Sequence, residues 1–286
     1  MKKILFASTA LVATAGVAAA EISFGGSANF GVMYNGSETI VKNELDFDVK
    51  GSGETDGGLK FGASFDLDTS YNDSNGAQGT GIADDSNGDS SGLGEGGIGD
   101  PEVYIEMGGL KLTVGNIGEA QDVGGISDIG FDGLGVDDVV DALRENGSDD
   151  IRIDYSFGDI AVAASVDSAT NQWAVSAAGS FGDISASAGF RDNDGTEDWN
   201  VTLGYSAGAF GVTATYAEAG NVDGFGLDAS YSQGDLTVTA AYAERGAADA
   251  YGIGASYSLG GGAAIAGGVA EVGGETVADL GMTFSF

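Results

Sequence analysis

Beyond residue 21, apolar and polar side chains alternate along short runs that are separated by glycine-rich turns. In the run Ile40–Lys50, the odd-numbered positions from Leu45 to Val49 are apolar, whereas the even-numbered positions from Lys42 to Lys50 are charged. Strict alternation of this kind predicts a β-strand with one apolar and one polar face. We predict sixteen such strands between Ile22 and Phe286.

A recurring turn divides the second half of the chain into hairpins. An alternating run is followed five times by serine, any residue and glycine, with the serines at Ser156, Ser180, Ser206, Ser232 and Ser258. Their spacing of 24 to 26 residues accommodates two strands, one tight turn and one looser loop. Tight turns therefore alternate with longer connections, which is the pattern of outer-membrane barrels.

Alternation alone fits both a soluble sandwich and a membrane barrel, because each has one polar and one apolar face. Three features favour the barrel: apolar-parity aromatics near the tight turns, a polar parity rich in Gly, Ser, Thr and charge, and a strand number that encloses an aqueous channel. We therefore predict an all-β fold, a 16-stranded antiparallel transmembrane β-barrel. The aromatic residues assigned to the interfacial girdle are Tyr155, Phe157, Phe181, Tyr205, Phe210, Tyr231 and Tyr257.

One stretch, Asn116–Asp149, does not alternate. It is long, acidic and glycine-rich, with a short helical pattern at Val136–Leu143, and it lies between the predicted fifth strand, Leu110–Val114, and the sixth, Ile151–Phe157. A loop this long inside a compact β fold is usually functional or disordered. We interpret it as a constriction loop that folds into the barrel and narrows a pore.

Composition limits the chemistry that the chain can perform. Residues 1–20 form a predicted signal peptide, with Lys2 and Lys3 before an apolar run and an Ala-x-Ala site at its end, so the mature chain is residues 21–286. The chain has no Cys and no His, which excludes thiolate and histidine metal sites and His-dependent catalytic triads. Its net charge of −34 argues against nucleic-acid binding and favours attraction of cations.

The chain resembles the general diffusion porins of alphaproteobacteria. The resemblance is carried by the start AEISFGGSANFGVMY, the hairpin PEVYIEMGGLKLTVGN, the strand GFGLDASYS and the end MTFSF. It implies sixteen strands, a homotrimer in contact with outer-membrane lipid and lipopolysaccharide, a loop after strand five inside the lumen, and passive diffusion of small hydrophilic solutes. The terminal Phe286 resembles the signal that the outer-membrane assembly machinery reads. The implied localisation is the outer membrane of a Gram-negative bacterium.

The resemblance also implies acids on the constriction loop that face a basic cluster across the lumen. The candidate constriction acids are Glu119, Asp122, Asp128, Asp132, Asp137, Asp138 and Asp141. The candidate basic wall residues are Lys42 and Arg152, with Lys60 and Lys111 nearer the tight-turn end. Here the chain departs from the family pattern, because strand two offers the wall acids Glu44, Asp46 and Asp48, and only eight basic residues follow residue 20. We therefore expect a strong cation preference.

A second long loop, residues 68–100, occupies the family position that latches onto a neighbouring subunit. Its segment with Asp84, Asp85, Asn87 and Asp89 resembles the start of a calcium loop, but the expected glycine and the final glutamate are missing. It is not an EF-hand. A flexible polar loop is the favoured interpretation, and binding of Ca²⁺ by these carboxylates is the alternative. We expect no required cofactor.

Three functions stay open at this stage, and none is enzymatic. The spacing of Glu44, Asp46 and Asp48 is that of a strand face rather than of a catalytic carboxylate pair. A diffusion porin is the leading hypothesis. A solute-specific channel of similar build would need inward aromatic residues, for which Tyr104 and Phe131 are the candidates. A secreted acidic, calcium-binding β-repeat protein is the third possibility.

Overall fold

Sixteen long β-strands account for most of the residues that the structure describes. A computed structural model describes residues 21–72, 82–83, 99–144 and 147–286. A two-residue strand, Ile82–Ala83, pairs with the third long strand. The long strands are β1 Glu21–Tyr34, β2 Thr39–Glu54, β3 Lys60–Asn72, β4 Gly99–Met107, β5 Leu110–Gly118, β6 Ser148–Phe157, β7 Ile160–Val166, β8 Trp173–Phe181, β9 Ile184–Asn193, β10 Thr196–Ala207, β11 Phe210–Ala219, β12 Val222–Gln233, β13 Leu236–Arg245, β14 Ala248–Gly260, β15 Ala263–Val272 and β16 Glu275–Ser285.

The strands form one closed antiparallel ring. Each long strand pairs with its neighbours in the chain, and β1 also pairs with β16, from Ser27 opposite Ser285 to Tyr34 opposite Ala278. Closure leaves no unpaired sheet edge, which is what a strand structure needs to cross hydrocarbon. The predicted 16-stranded antiparallel barrel is confirmed. Within the described residues, no helix is long and apolar enough to cross a membrane.

The two faces of the ring differ as the alternation predicted. Leu227, Tyr242 and Ile253 point outward and are 36–50% exposed. Ala241 and Ala243, which flank Tyr242 in the same strand, are buried on the inner side. The aromatic residues predicted for the girdle are all exposed, each by 39% or more. Exposed apolar surface of this extent fits contact with lipid.

The repeated serine forms a hydrogen bond between adjacent hairpins at the tight-turn end. The backbone N–H groups of Ser206, Ser232 and Ser258 each donate to a carbonyl in the preceding tight turn, over 2.8–2.9 Å. Ser156 N–H and Ser285 N–H make the same bond to Gly109 and Gly262. The period of the sequence therefore reflects a hydrogen bond that recurs once per hairpin. The turn between β2 and β3 differs from the other tight turns in position, since β2 continues to Glu54 and β3 begins at Lys60.

The segment between β5 and β6 lies inside the ring. It is shorter than the alternation indicated, because β5 continues to Gly118 and β6 begins at Ser148, with Ile117 opposite Asp149. The helical pattern yields only the four-residue helix α1, Asp138–Asp141. We call residues 119–147 the inner loop. It touches inward-facing residues of β2, β9 and β11–β16, and only the interior of the ring gives access to all of these strands.

Small residues on the inner wall make room for this loop. Its apolar side chains pack against alanines of β11, β13, β14 and β15, so the hydrophobic core of the protein lies within the lumen rather than between sheets. The members of this core from the loop are Ile126, Ile129, Leu134, Val136, Val139, Val140 and Leu143. A Cβ added to Gly254 or Gly268 would lie 2.6 or 2.7 Å from Cγ2 of Ile129. These glycines therefore permit close contact between loop and wall.

We expect Gly254→Ala to destabilise the protein by about 1–3 kcal/mol, because the added methyl group overpacks the contact with Ile129. The measurement is urea-driven unfolding in detergent micelles. Gly25→Ala is the matched control, since a Cβ there would have no neighbour closer than 3.7 Å and faces the same lumen. The control should change the unfolding free energy by less than about 0.5 kcal/mol. Equal effects of the two substitutions would contradict the packing that we describe.

Candidate functional site in the barrel lumen

The first residue of the inner loop is anchored to the wall by a buried ion-pair network. Arg191 on β9 donates from Nη1 to both carboxylate oxygens of Glu119, at 3.1 and 3.0 Å, and from Nε to Asp198 at 3.0 Å. Gln172 also donates to Glu119 and, over 3.2 Å, to Asp149. Burial raises the pKa of Glu119, and the charge of Arg191 opposes that rise. Arg191, Glu119 and Asp198 are each at most 5% exposed, so these charges form a structural anchor.

The tip of the loop is anchored to β1 and to its two neighbours in the ring, β2 and β16. Asp132 forms an ion pair with Lys42 on β2 and accepts a hydrogen bond from Asn29 on β1 at 3.1 Å. The backbone N–H of Phe131 donates to Asp279 on β16 at 2.8 Å. Lys42 therefore faces the lumen as its parity predicted, but its charge is taken up by the loop.

A third base, Arg144, lies within the loop itself. Its Nη2 binds Asp141 at 2.7 Å, and its Nη1 binds Asp122. Burial raises the pKa of Asp141, while its hydrogen bond with Arg144 lowers it. These bonds join Asp122, near the beginning of the loop, to Asp141 and Arg144 near its end.

A second group of loop acids has no such base. Asp128, Asp137 and Asp138 lie close enough for their negative charges to repel one another. Burial, followed by the charge of Asp128, raises the pKa of Asp137 to about 7. Burial also raises the pKa of Asp128. Asp137 therefore keeps its proton up to near-neutral pH.

The remaining predicted wall residues lie on β2–β6. Lys50 binds Asp48 at 3.0 Å, Lys60 binds Glu106 at 3.4 Å, and Arg152 binds Asp154 at 3.0 Å. Arg152 also donates to the carbonyl of Gly118 at 2.9 Å, just before the loop. Lys111 lies over the ring of Tyr104, 4.8 Å from its centre. Glu44 accepts a hydrogen bond from Asn29, and Asp46 accepts one from Ser27.

Two bases that the sequence did not single out, Arg144 and Arg191, hold three of the seven candidate loop acids. Glu119, Asp122, Asp132 and Asp141 are ion-paired, whereas Asp128, Asp137 and Asp138 are not in any salt bridge of the described chain. Arg191 was recognisable only by its inward parity, and Arg144 has no strand parity at all. Arg245 also has inward parity, at the last position of β13.

Open space remains beside the loop. A cavity of about 620 Å³ lies between Val123–Gly125 and the inner faces of β6–β11. Its wall consists mainly of small and hydroxyl side chains, including Ser156, Ser187 and Thr202. Phe131 is 6% exposed and packs against Gly31 and Gly281, and the ring of Tyr104 is covered by Lys111. Phe131 therefore presents no free ring to the open lumen, and one face of the Tyr104 ring carries Lys111.

The possible calcium ligands Asp84, Asp85, Asn87 and Asp89 lie outside the described residues, as does the predicted signal peptide. The part of the chain that the structure describes contains no group of three acidic side chains placed to hold a metal ion. Phe286 exchanges backbone hydrogen bonds with Gly26 at 3.0 and 3.1 Å and leaves its side chain 60% exposed.

Comparison with known proteins agrees with this geometry. A family model described as Gram-negative porin matches residues 7–276. Among solved structures, a triple mutant of Rhodopseudomonas blastica porin has 25% sequence identity and a TM-score of 0.76, over 93% of this chain and 100% of that chain. Another mutant of the same porin has 25% identity and a TM-score of 0.75 over the same shares. No curated protein sequence matches the chain.

We expect Arg191→Met to cost about 3–5 kcal/mol of unfolding free energy, because it leaves Glu119 and Asp198 buried without a basic partner. Urea titration in detergent measures this loss, and adding Glu119→Gln to the same chain should restore part of it. The control is Lys60→Met, which removes an exposed pair and should cost less than about 1 kcal/mol. If both single variants cost the same, Arg191 is not a buried anchor.

We expect the unfolding free energy to fall as pH rises from 3.8, the ordinary pKa of an aspartate, to about 7, the pKa of Asp137 in the folded protein. In this window the folded protein holds a proton that the unfolded chain has lost, and above it the contribution is constant. Asp137→Asn should flatten the slope, whereas Asp159→Asn, in an exposed tight turn, should not. A slope unchanged by Asp137→Asn would show that this carboxyl group titrates normally.

Proposed function

Because the chain belongs to the Gram-negative porin family, we propose that it forms a water-filled outer-membrane channel that admits small hydrophilic solutes by passive diffusion and prefers cations. The observation that carries this proposal is the inner loop, which occupies one side of the lumen and leaves open space beside it, lined mainly by small and hydroxyl side chains. A channel of this build needs no catalytic group and no moving part.

The inner loop is the proposed constriction. Its apolar residues cover the wall formed by β11–β15, and its acidic residues are anchored at Arg191 and Lys42. Both features support a fixed loop that narrows the lumen from one side. The open space beside the loop is the cavity along the inner faces of β6–β11.

The proposed cation preference follows from the charges left in this opening. Forty-four acidic residues stand against ten basic residues in the whole chain, and two of the ten are Lys2 and Lys3. Lys42, Arg144 and Arg191 are bound to loop acids, so they offer little positive charge to a passing anion. A lumen with acidic walls raises the local concentration of cations and lowers that of anions.

The wider assembly is proposed from the resemblance to porins. We propose a homotrimer in which residues 68–100 contact a neighbouring subunit, surrounded by outer-membrane lipid and lipopolysaccharide. Residues 1–20 would direct export, and the C-terminal Phe286 would be read by the outer-membrane assembly machinery. The exposed side chain of Phe286, at the end of the strand that closes the ring, supports the last of these roles.

We expect purified protein in a planar bilayer to give stepwise conductance, with a reversal potential in a KCl gradient that reports a cation preference. The preference should weaken as ionic strength rises, because mobile ions screen the wall charges. Absence of conductance would contradict the channel itself. A channel with a reversal potential of anionic sign would contradict only the cation preference.

A further inference from the structure

A row of carboxylates runs along the outer face of the barrel at the end opposite the tight turns. Each of the seven strands β9–β15 contributes one. They point outward, because the residue next to each of them in the strand, such as Asp198 on β10 or Ala243 on β13, is buried on the inner side. Within the described chain, none of them takes part in a salt bridge. We call them the outer acidic row: Asp192, Glu197, Glu218, Asp223, Glu244, Asp249 and Glu271.

Aromatic side chains lie directly beside the outer acidic row. On six of the seven strands, the next outward residue toward the tight turns is aromatic. The hydroxyl group of Tyr242 donates to Glu244 over 2.6 Å, and that of Tyr251 donates to Glu271 over 2.8 Å. Rings with an apolar body and a polar tip toward charged groups are typical of a membrane interface. They form a second girdle, which consists of Phe190, Trp199, Tyr216, Phe225, Tyr242 and Tyr251.

The apolar face between the second girdle and the girdle at the tight-turn end is short. On β10 it runs from Trp199 to Tyr205 and on β14 from Tyr251 to Tyr257, which is seven residues in each case. The spacing is the same on β11 and β12. Six steps of about 3.4 Å in a strand tilted by about 40° span about 16 Å along the membrane normal. Outer-membrane strands ordinarily use about 9–11 residues, and their apolar band is about 25 Å tall.

Neither end of this short band can enter hydrocarbon to lengthen it. At one end lies the outer acidic row, and a carboxylate on the lipid face of a barrel is costly inside the bilayer. At the other end the strands stop, since β10 ends at Ala207, two residues after Tyr205. The backbone groups of the turn that follows need water or protein partners, which hydrocarbon does not offer. The two girdles therefore mark the limits of the lipid contact on this side.

A longer apolar face on β1 shows that the short band belongs to β9–β15 alone. The outward residues of β1 alternate from Ile22 to Tyr34, over thirteen residues, and none of them is charged. The same geometry gives this face a height of about 31 Å. Ile22 and Phe24, near its tight-turn end, are 66% and 76% exposed. The barrel therefore has sides of unequal apolar height, and β9–β15 form the low side.

We propose that the outer face of β9–β15 contacts lipid and fits a thin bilayer, so that the protein binds lipids with short acyl chains in preference to lipids with long ones. The hydrocarbon of a typical bilayer is about 30 Å thick, roughly twice the distance between the two girdles. A bilayer thicker than the band must thin around the barrel, at a cost that grows with each Å of mismatch. This inference rests on the membrane location in the proposed function and is independent of conductance.

The test uses the two tryptophans of the chain, which both report on this face. Trp199 belongs to the second girdle, and Trp173 on the adjacent strand β8 is 41% exposed and contacts the ring of Phe190. Brominated dioleoyl phosphatidylcholine quenches tryptophans that it touches. The folded protein is placed in vesicles of this lipid mixed with unbrominated phosphatidylcholines, from dimyristoleoyl to dierucoyl, and the recovery of fluorescence gives the relative binding constant of each. The dimyristoleoyl lipid should bind about two- to threefold more strongly than the dierucoyl lipid.

Two matched variants separate the length of the band from its charge. Glu218→Leu/Glu244→Leu/Glu271→Leu adds one apolar outward residue on each of three strands, which raises the band by about 5 Å there. The lipid that binds most strongly should then change from the dimyristoleoyl to the dipalmitoleoyl or dioleoyl form. Glu218→Gln/Glu244→Gln/Glu271→Gln removes the same charge but keeps polar side chains, which also stay out of hydrocarbon, so the wild-type order should remain.

The proposal is overturned if the wild-type protein binds all chain lengths equally or prefers the longest. It is also overturned if the brominated lipid leaves the tryptophans unquenched, because protein would then cover this face, or if the Gln variant shifts the order as far as the Leu variant. If the triple Leu variant does not fold, Glu244→Leu is measured alone and should shift the order in the same direction. Absence of conductance would refute the proposed channel and leave this result unchanged.

Discussion

The contact between the inner loop and the glycine and alanine wall is the interaction on which the rest of the structure depends. A barrel in a membrane has lipid outside and water inside, so neither face of its sheet supplies a conventional core. Here the core is made where Ile126, Ile129 and Leu143 lie against small residues of β11–β15. Burial of these apolar side chains gives the loop a fixed place, and the fixed loop gives the lumen its shape.

Charge reinforces this packing. The apolar contacts cover the middle of the loop, and ion pairs bind its start to Arg191 and its tip to Lys42. Buried charges are costly unless each finds a partner with good geometry, so these pairs fix the position of the loop as well as neutralise it. A second consequence is electrostatic, since Lys42, Arg144 and Arg191 are neutralised by the loop acids that they anchor. The bases that remain on β2–β6, Lys50, Lys60 and Arg152, are each bound to an acid of the same wall.

Much of the architecture could be predicted because a strand has a period of two. Parity alone identified the girdle aromatics as outward and Lys42, Asp46 and Asp48 as inward, and turn spacing gave the strand number. The partners of the loop could not be found this way. Which strand meets Glu119 depends on the path of the loop across the lumen, so Arg191 looked like any residue at a strand end. Gly254 and Gly268 looked like weak strand positions until the side chain of Ile129 was seen against them.

The position of the inner loop can be tested directly, because the chain contains no cysteine. A Cβ on Gly254 would lie 2.6 Å from Cγ2 of Ile129, so the double variant Ile129→Cys/Gly254→Cys places two thiols in contact. Single-channel conductance measured before and after oxidation is the decisive measurement. We predict that the disulfide forms and that conductance does not change, since the bond joins groups that already touch. Failure of the bond to form, or a conductance that changes when it forms, would contradict the account.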